Sequence, residues 1–286
     1  MQKSSMENNE KIIVPPIKCQ GIKTKLIPYI KKVVTLSTDD TWIEPFLGSG
    51  VVAFNVKPNK AILADKNKYI INFYKQIQQS KIDAYTVREF LQYHGARLEK
   101  YGNDYYLKMR TEFNKNGEPL HFLFLNRSGF NGMIRFNKKG EFNIPFCKKN
   151  NRFSKAYITK ICNQVQNVSK IIKERDWEFI HCDWKESFSL ATENDYIYLD
   201  PPYIGRDTSY IGEWSDKDAE MLSQYSNNTK ANVCLSMWKE NIFRKNEHLY
   251  KYWNKYKWLE INHFYHVGAS EQNRHKMVEV LALKNL

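Results

Sequence analysis

The chain has 286 residues, 42% of them hydrophobic and 14% aromatic, which is enough for one large domain or for a core domain with an insert. Its 44 Lys and Arg exceed its 31 Asp and Glu and give a formal net charge of +13, which favours a polyanionic partner. No apolar run approaches the roughly 18 residues of a membrane span, and residues 1–10 lack the apolar core of a signal peptide. We therefore expect a cytoplasmic protein without a membrane segment.

The five cysteines are scattered and form no Cys-x-x-Cys pair. The sequence therefore predicts neither a zinc site nor a disulfide framework. We expect reduced thiols and no bound metal.

The first informative segment, residues 15–25, is a basic loop that contains Gly21 and precedes a predicted helix over residues 26–34. Lys23 stands at the entry of that helix, where its ammonium group can meet a carboxylate or a phosphate. A solvated lysine is the alternative interpretation.

A glycine turn follows the first predicted strand. Residues 41–54 predict a short apolar strand, a Gly-x-Gly turn at Gly48 and Gly50, and a helical run, and residues 61–65 predict a second strand that ends in Asp65. This order is typical of a nucleoside site in which the acid binds ribose hydroxyls. The spacing of about 15 residues between Gly50 and Asp65 is shorter than the roughly 20 of dinucleotide enzymes, and the full glycine fingerprint is missing, so NAD is disfavoured.

Residues 81–155 interrupt the alternation of strands and helices. They follow a predicted helix over 67–79 and contain helical runs at 84–100, 104–113 and 120–125. The region has 15 Lys and Arg against seven Asp and Glu, so +8 of the total +13 lies here. This concentration predicts an inserted domain that faces nucleic acid.

Within this region, residues 126–146 are rich in glycine, aromatic and basic residues, and residues 138–141 predict a hairpin turn. Arginine and asparagine side chains, such as those of Arg127, Asn131 and Arg135, have the shape that reads guanine and adenine edges. An apolar ring such as Phe130 can wedge between base steps. A surface hairpin with solvated charges is the alternative.

Acids stand at the ends of two further predicted strands. After a helix over 156–174, a strand that begins at Trp177 is predicted to end in Asp183. The run 196–199 ends at Asp200, because Pro201 and Pro202 cannot donate hydrogen bonds to a ladder.

The residues after this last strand predict a pocket for a planar base that has an amino group. Asp200 and the carbonyl of Pro201 can each accept a hydrogen bond from an exocyclic amine, and the ring of Tyr203 can stack on the base. The alternative is a Pro-Pro turn with an exposed tyrosine.

The rest of the chain completes an α/β pattern. Residues 215–218 resemble a capping box with Asp in place of Glu and predict a helix to about residue 226, and strands are predicted over 232–236, 258–262 and 277–283. We expect the last strand to pair antiparallel by a hairpin, and residues 267–276 to form a basic loop on the substrate side.

The order of these pieces resembles the Dam-type DNA adenine-N6 methyltransferases (D12 class, alpha group) over about residues 15–286. The resemblance is carried by residues 44–50 (Glu-Pro-Phe-Leu-Gly-Ser-Gly), by residues 126–146, and by Asp-Pro-Pro-Tyr at 200–203. It implies a Rossmann-like methyltransferase sheet formed by residues 1–80 and 156–286. It also implies that residues 81–155 are an inserted, mainly helical DNA-recognition domain with a β-hairpin.

The resemblance also implies roles for individual residues. The methyl donor S-adenosyl-L-methionine (AdoMet), which leaves as S-adenosyl-L-homocysteine, would be bound by Lys23, Glu44, Phe46, Gly48, Gly50, Asp65, Asp183 and Asp200. A flipped adenine would be held by Asp200, Pro201, Pro202 and Tyr203. DNA would be contacted by Lys18, Arg127, Phe130, Asn131, Met133, Arg135 and Pro145, with Phe130 intercalated where the base leaves.

GATC is the first candidate for the target, because Lys18, Met133, Arg135 and Pro145 match positions that touch the recognition bases in GATC-specific members. The chain departs from the usual Lys-Trp-Ala-Gly-Gly-Lys motif and has Lys-Cys-Gln-Gly-Ile-Lys at 18–23. The resemblance implies duplex DNA as partner, a separately encoded restriction endonuclease as a candidate partner, and a monomer.

Two alternatives remain at this stage. Another amino-methyltransferase, acting on cytosine N4, on RNA or on a protein amide, is disfavoured because those families more often have Ser or Asn where Asp200 stands. A DNA-binding protein without catalysis is disfavoured by the complete set of cofactor and base-pocket residues.

Overall fold

One seven-stranded sheet forms the centre of the molecule. The computed structural model describes residues 11–203, 214–241, 244–264 and 276–286. Its strands are β1 (Thr41–Glu44), β2 (Lys60–Asp65), β3 (Asp176–His181), β4 (Tyr196–Leu199), β5 (Asn232–Asn241), β6 (Lys257–Phe264) and β7 (Lys276–Lys284). Their order is β3-β2-β1-β4-β5-β7-β6, in which β1 to β5 are parallel and β7 runs antiparallel to both of its neighbours.

Nine α-helices accompany the sheet in the described ranges. They are α1 (Ile27–Val33), α2 (Val51–Val56), α3 (Lys68–Gln78), α4 (Ala84–Asn116), α5 (Pro119–Ser128), α6 (Lys155–Lys173), α7 (Trp184–Phe188), α8 (Asp216–Asn228) and α9 (Glu247–Tyr252). None of the described helices has the length and apolar character that crossing a membrane requires.

The strand order reverses between β1 and β4. The chain passes from β1 outward through β2 to β3, and then returns to place β4 on the other side of β1. The carboxyl ends of β1 and β4 therefore lie side by side, and in open α/β sheets ligands bind at such a switch point. Stacking of Trp42 on Tyr198, with centroids 5.9 Å apart, packs the two strands together. The mixed α/β, Rossmann-like fold class predicted from the sequence is confirmed.

The opposite edge of the sheet is tied by one buried acid. Asp195 is 6% exposed and accepts hydrogen bonds from the backbone N–H of Thr41 at 2.8 Å and of Thr192 at 2.7 Å. Its carbonyl accepts from the backbone N–H of Asn232 at 2.9 Å. The amino ends of β1, β4 and β5 are thereby joined at one point.

The helices between β2 and β3 pack as a group. The two helical runs predicted at 84–100 and 104–113 form α4, which is kinked at Gly102, where φ is +55° and ψ is −127°. Helix α4 packs on α5 and α6, and their buried side chains belong to the same hydrophobic core as those of α3. A separate domain over residues 81–155 stays a prediction.

Two local predictions differ from the structure. The turn at 137–141 forms, with Gly140 at φ +77°, but its flanks pair only through isolated bridges, Phe136 with Phe142 and Gly129 with Phe146, so regular hairpin strands are missing there. Strand β3 ends at His181, not at Asp183, because Asp183 caps α7 by accepting a hydrogen bond from the backbone N–H of Lys185 at 3.2 Å.

The predicted loop at 267–276 lies, up to residue 275, outside the described residues.

We predict that Gly95→Ala lowers the free energy of unfolding, although alanine favours a helix by about 1 kcal/mol over glycine. Gly95 lies inside α4, and an added Cβ would stand 2.7 Å from the Cβ of Phe153, which is fixed to its own backbone. Overpacking of this kind costs about 1–3 kcal/mol, so a net loss is expected in chemical or thermal unfolding.

Gln92→Ala is the matched control, because Gln92 is exposed on the same helix. It should leave stability unchanged or slightly higher. A stabilising Gly95→Ala would contradict the close packing of Phe153 against α4.

Candidate active site

A cavity of about 990 Å³ opens at the carboxyl ends of β1, β2 and β4. Its wall is formed by six parts of the chain. They are the N-terminal segment (residues 11–26, before α1), the turn after β1, the end of β2, the start of α7, the end of β4 and strand β7. Most of the cofactor and base-pocket residues predicted from the sequence meet here, as do Asn131 and Met133. The switch point of the sheet is therefore the candidate active site.

The glycine turn is held in place by the acid at the end of β2. The backbone N–H of Gly48 donates to Asp65 Oδ2 at 2.8 Å, and the backbone N–H of Asn67 donates to Asp65 Oδ1 at 2.7 Å. Gly48 and Gly50 have φ of +52° and +73°, which a side chain would strain, and a Cβ on Gly50 would meet the Phe54 ring at 2.8 Å. Gly48 therefore presents bare backbone to the cavity, whereas Gly50 does not line it.

Burial changes the ionisation of two acids in the wall. It raises the pKa of Asp65 to about 6, against the two backbone hydrogen bonds that lower it. It raises the pKa of Glu44 to about 8, helped by the Asp200 carboxylate and opposed by the hydrogen bond that Trp42 Nε1 donates to Glu44 Oε1 at 2.8 Å. At neutral pH Asp65 is therefore mostly ionised and Glu44 mostly protonated.

An ion pair joins the N-terminal segment to the end of β4. Lys23 Nζ lies 2.8 Å from Asp200 Oδ2 and also donates to the carbonyl of Gly21 at 2.7 Å. Lys23 is 4% exposed, and burial disfavours its charge, but Asp200, Tyr203 and Glu279 outweigh burial and raise its pKa well above the usual range. The pair places the Asp200 carboxylate beside the Pro-Pro turn, where it can accept hydrogen bonds.

Four aromatic side chains, those of Phe46, Trp184, Tyr203 and Trp214, line the cavity. Phe46 stacks on Trp184 with centroids 6.4 Å apart, and Trp214 meets Phe46 edge-on at 5.5 Å. The ring of Tyr203 lies 5.5 Å from Lys23 Nζ, and burial raises the pKa of its phenol. Flat aromatic rings therefore line the cavity and suit planar ligands.

The charge of the wall favours a cation. Six carboxyl side chains line the cavity, those of Glu44, Asp65, Asp183, Asp200, Asp218 and Glu279, against the two ammonium groups of Lys23 and Lys66. With Glu44 mostly protonated, the acids still outnumber the lysines. A ligand with positive charge and an aromatic ring fits this donor and acceptor set.

The segment 126–146, which we call the recognition segment, is anchored through its backbone. The phenol of Tyr106 donates to the carbonyl of Ile144 at 2.8 Å. Asn114 bonds both backbone groups of Phe142, accepting from its N–H at 2.8 Å and donating to its carbonyl at 3.2 Å. The position of the segment is thus set by α4 and by main-chain atoms.

The predicted DNA contacts are distributed around this segment. Phe130 is 50% exposed, and its backbone N–H donates to the carbonyl of the exposed Pro145 at 2.9 Å. Arg135 Nε donates to Asn143 Oδ1 at 2.8 Å, and Lys18 is half-buried. Phe130, Asn131 and Pro145 present exposed side chains.

Arg127 differs from its prediction as a DNA contact. It is 2% exposed, its Nε donates to the carbonyl of Pro16 at 2.7 Å, and its Nη2 donates to Gln164 Oε1. Its guanidinium group cross-links α5, α6 and the N-terminal segment, so the structure gives it an internal role instead of a DNA-facing one.

Three residues that line the cavity, Trp184, Trp214 and Glu279, were not predicted as site residues from the sequence. Trp184 and Trp214 supply aromatic faces, and Glu279 places a carboxyl that is 4% exposed near Lys23 and Tyr203. The available signal for Glu279 was an acid within the apolar run of β7.

The chain is similar to known adenine-specific DNA methyltransferases. The model of the D12 class N6 adenine-specific DNA methyltransferases matches residues 20–267. A DNA adenine methylase of Haemophilus influenzae is 32% identical over 207 residues, which are 69% of this chain and 67% of that protein. The DNA adenine methylase of Escherichia coli K12 is 33% identical over 195 residues, 65% of this chain and 64% of that protein, so the aligned part spans about two thirds of these methylases. The Type II methyltransferase M1.LlaDCHI of Lactococcus lactis is 26% identical over 292 residues and 97% of its length.

We predict that Glu44 makes stability fall as the pH rises. Its pKa is 4.5 ordinarily and about 8 in the fold, so the folded state holds an extra proton between these values. The free energy of unfolding should therefore decrease from about pH 5 to pH 8, by at most about 1.4 kcal/mol per pH unit. Glu44→Gln, which cannot titrate, should lose less stability over this range in denaturant unfolding.

Glu178→Gln, at an exposed position on β3, is the control and should follow the wild type at every pH. Parallel curves for the wild type and Glu44→Gln would show that Glu44 does not hold this proton.

Proposed function

Because the chain belongs to the D12 class of N6 adenine-specific DNA methyltransferases, we propose that it methylates adenine N6 within a short duplex motif, with GATC as the first candidate. Membership of this family implies AdoMet as methyl donor. The observation that carries the proposal is the position of Asp200, Pro201, Pro202 and Tyr203 at the switch point, on the wall of the cavity that also contains the glycine turn and Asp65.

The cavity fits AdoMet in size and chemistry. Its volume of about 990 Å³ is at the upper end of small-molecule sites, which leaves room for a base beside the donor. Asp65 would accept from ribose hydroxyls, and Phe46 and Trp184 would hold the adenine ring, with Asp183 beside it. The acidic wall suits the positive charges of the sulfonium and ammonium groups. When bound, AdoMet supplies an electrophilic methyl group.

The protein residues act mainly by position. Adenine N6 is a poor nucleophile because its lone pair is delocalised into the ring. Hydrogen bonds from N6 to Asp200 and to the carbonyl of Pro201 would favour tetrahedral geometry and aim the lone pair, while Tyr203 stacks on the base. Lys23 Nζ contacts Oδ2 of Asp200 at 2.8 Å, and the other carboxylate oxygen would accept from N6. Positioning and exclusion of water then account for the rate.

The recognition segment would carry the duplex. Flipping one adenine out of the stack costs a few kcal/mol, and the exposed ring of Phe130 can fill the gap it leaves. Asn131 and Met133 extend from this segment to the cavity wall, so they would stand where the base enters. Lys18, Arg135 and Pro145 would contact the recognition bases.

The biological setting is part of the proposal. One similar protein is named a Type II methyltransferase, which favours a restriction–modification system with a separately encoded endonuclease over an orphan methylase. We propose that the enzyme acts as a monomer.

We predict that Asp200→Ala lowers kcat by a factor on the order of 10³, because a preorganised acceptor is lost. DNA binding should survive, and a duplex with 2-aminopurine at the target position should still gain fluorescence on binding. Asp176→Ala, an exposed acid at the start of β3, should retain full activity. A near-normal rate for Asp200→Ala would exclude this mechanism.

We expect methyl transfer from labelled AdoMet to DNA that lacks adenine methylation, with N6-methyladenine in one short motif by modification-sensitive sequencing. GATC would support the roles of Lys18 and Arg135. Label in cytosine would indicate N4 methylation, and no label with no AdoMet binding would indicate a non-catalytic DNA-binding protein.

A further inference from the structure

A second cavity, of about 190 Å³, lies beside the candidate active site, and we call it the side cavity. Five residues line both cavities, namely Pro201, Pro202, Tyr203, Trp214 and Trp238. The first three of these belong to the proposed pocket for the target base. The side cavity is therefore the immediate neighbour of that pocket.

Two cationic side chains, those of Arg244 and Lys245, line the side cavity. Both residues are exposed, and neither forms an ion pair within the described ranges of the chain. Among the described lining residues Glu247 is the one carboxyl, and His248 Nδ1 lies 3.3 Å from Asp216 Oδ1. Positive charge therefore exceeds negative charge in the side cavity.

The backbone that carries the two cations is fixed against the end of β5. The N–H of Arg244 donates to Asn241 Oδ1, and its carbonyl accepts from the N–H of Asn241, each at 3.0 Å. The next residue, Lys245, pairs with Glu240 in an isolated antiparallel bridge. The two side chains therefore start from defined positions at the carboxyl edge of the sheet.

Trp238 places Arg244 at the boundary between the two cavities. The guanidinium carbon of Arg244 lies 5.1 Å from the centroid of the Trp238 ring, which is a cation–π distance. Trp238 is 7% exposed, and its carbonyl accepts a hydrogen bond from Asn246 Nδ2 at 2.8 Å. The guanidinium group is thus held beside a ring that the two cavities share.

The two cavities differ in charge. Six carboxyl side chains line the large cavity against two lysines, so a phosphate group is disfavoured there. When the base of an extruded nucleotide enters the large cavity, its phosphates remain on the strand, next to the base pocket. Arg244 and Lys245 stand at that position, outside the acidic wall, and arginine and lysine are the side chains that neutralise phosphates.

We propose that Arg244 and Lys245 bind a DNA phosphate that flanks the extruded adenine and thereby anchor the target nucleotide beside its pocket. They read no base, because phosphate contacts position a protein on DNA without carrying sequence information. The inference rests on the proposed function, in which adenine is flipped into the pocket at Asp200.

The first test uses Arg244→Gln and Lys245→Gln, each of which removes one charge and keeps a polar stem. The Kd for the cognate duplex should rise about tenfold in each variant. The slope of log Kd against log salt concentration should fall by about one, because one phosphate contact is lost. The affinity for AdoMet and the melting temperature should stay at the wild-type values, because neither residue lines the large cavity.

The second test locates the phosphate. One phosphate on either side of the target adenine is replaced in turn by an uncharged methylphosphonate. At one of the two positions the replacement should weaken binding by the wild type about tenfold and should add nothing to the loss in Arg244→Gln, as a double-mutant cycle measures.

Lys230→Gln is the matched control. Lys230 is an exposed lysine that precedes β5 and lies at the amino edge of the sheet, paired with Glu193 at 3.6 Å. Its loss removes the same charge at the opposite edge, so the Kd and the salt slope should be those of the wild type.

Three results would overturn the inference while methylation by the wild type stands. They are an unchanged Kd and salt slope in both variants, full additivity with the methylphosphonate at both positions, and a parallel loss of AdoMet affinity and melting temperature, which indicates a general structural role. A wild type that methylates no DNA would remove the proposed function and this inference together.

Discussion

The ion pair between the buried Lys23 and the partly exposed Asp200 is the contact on which the site depends. Lys23 reaches the carboxylate from the N-terminal segment, and Asp200 ends β4, so the pair closes the cavity between two distant parts of the chain. Lys23 is buried, and Tyr203 and Glu279 support its charge together with Asp200. The N-terminal segment supplies Lys23 and part of the cavity wall, so the cavity is complete only when this segment is docked against the end of β4.

The two edges of the parallel sheet have different tasks. At the amino edge, Asp195 has its oxygens bonded to backbone groups, which stabilises the joined strands. At the carboxyl edge, Glu44, Asp65 and Asp200 share one cavity, and burial raises the pKa of the first two. Acids whose charged form is disfavoured by burial reduce stability at this edge, which is a pattern common at functional sites.

Local sequence patterns predicted the parts of the site that are local in the chain. The glycine turn, Asp65 and the Asp-Pro-Pro-Tyr motif could be found because strand ends and turn residues lie within a few positions of each other. Arg127 was misplaced because its partners, Pro16 and Gln164, are remote in sequence and bring it into the interior. Asp183 was placed at a strand end because one acid can end a strand or cap a helix. Glu279 was missed because strand neighbours decide what it faces, and the DNA contacts stay predictions.

The anchoring of the recognition segment has a consequence for how such proteins diversify. Tyr106, Asn114 and Asn126 hold this segment and Lys18 through backbone N–H and carbonyl groups, which every substitution except proline retains. Outward side chains such as those of Phe130, Asn131 and Pro145 take no part in these bonds. Under the proposed function, exchanges at such positions would alter the bases that are read while these backbone contacts are retained. The recognition sequence could then change during evolution without a loss of folding stability.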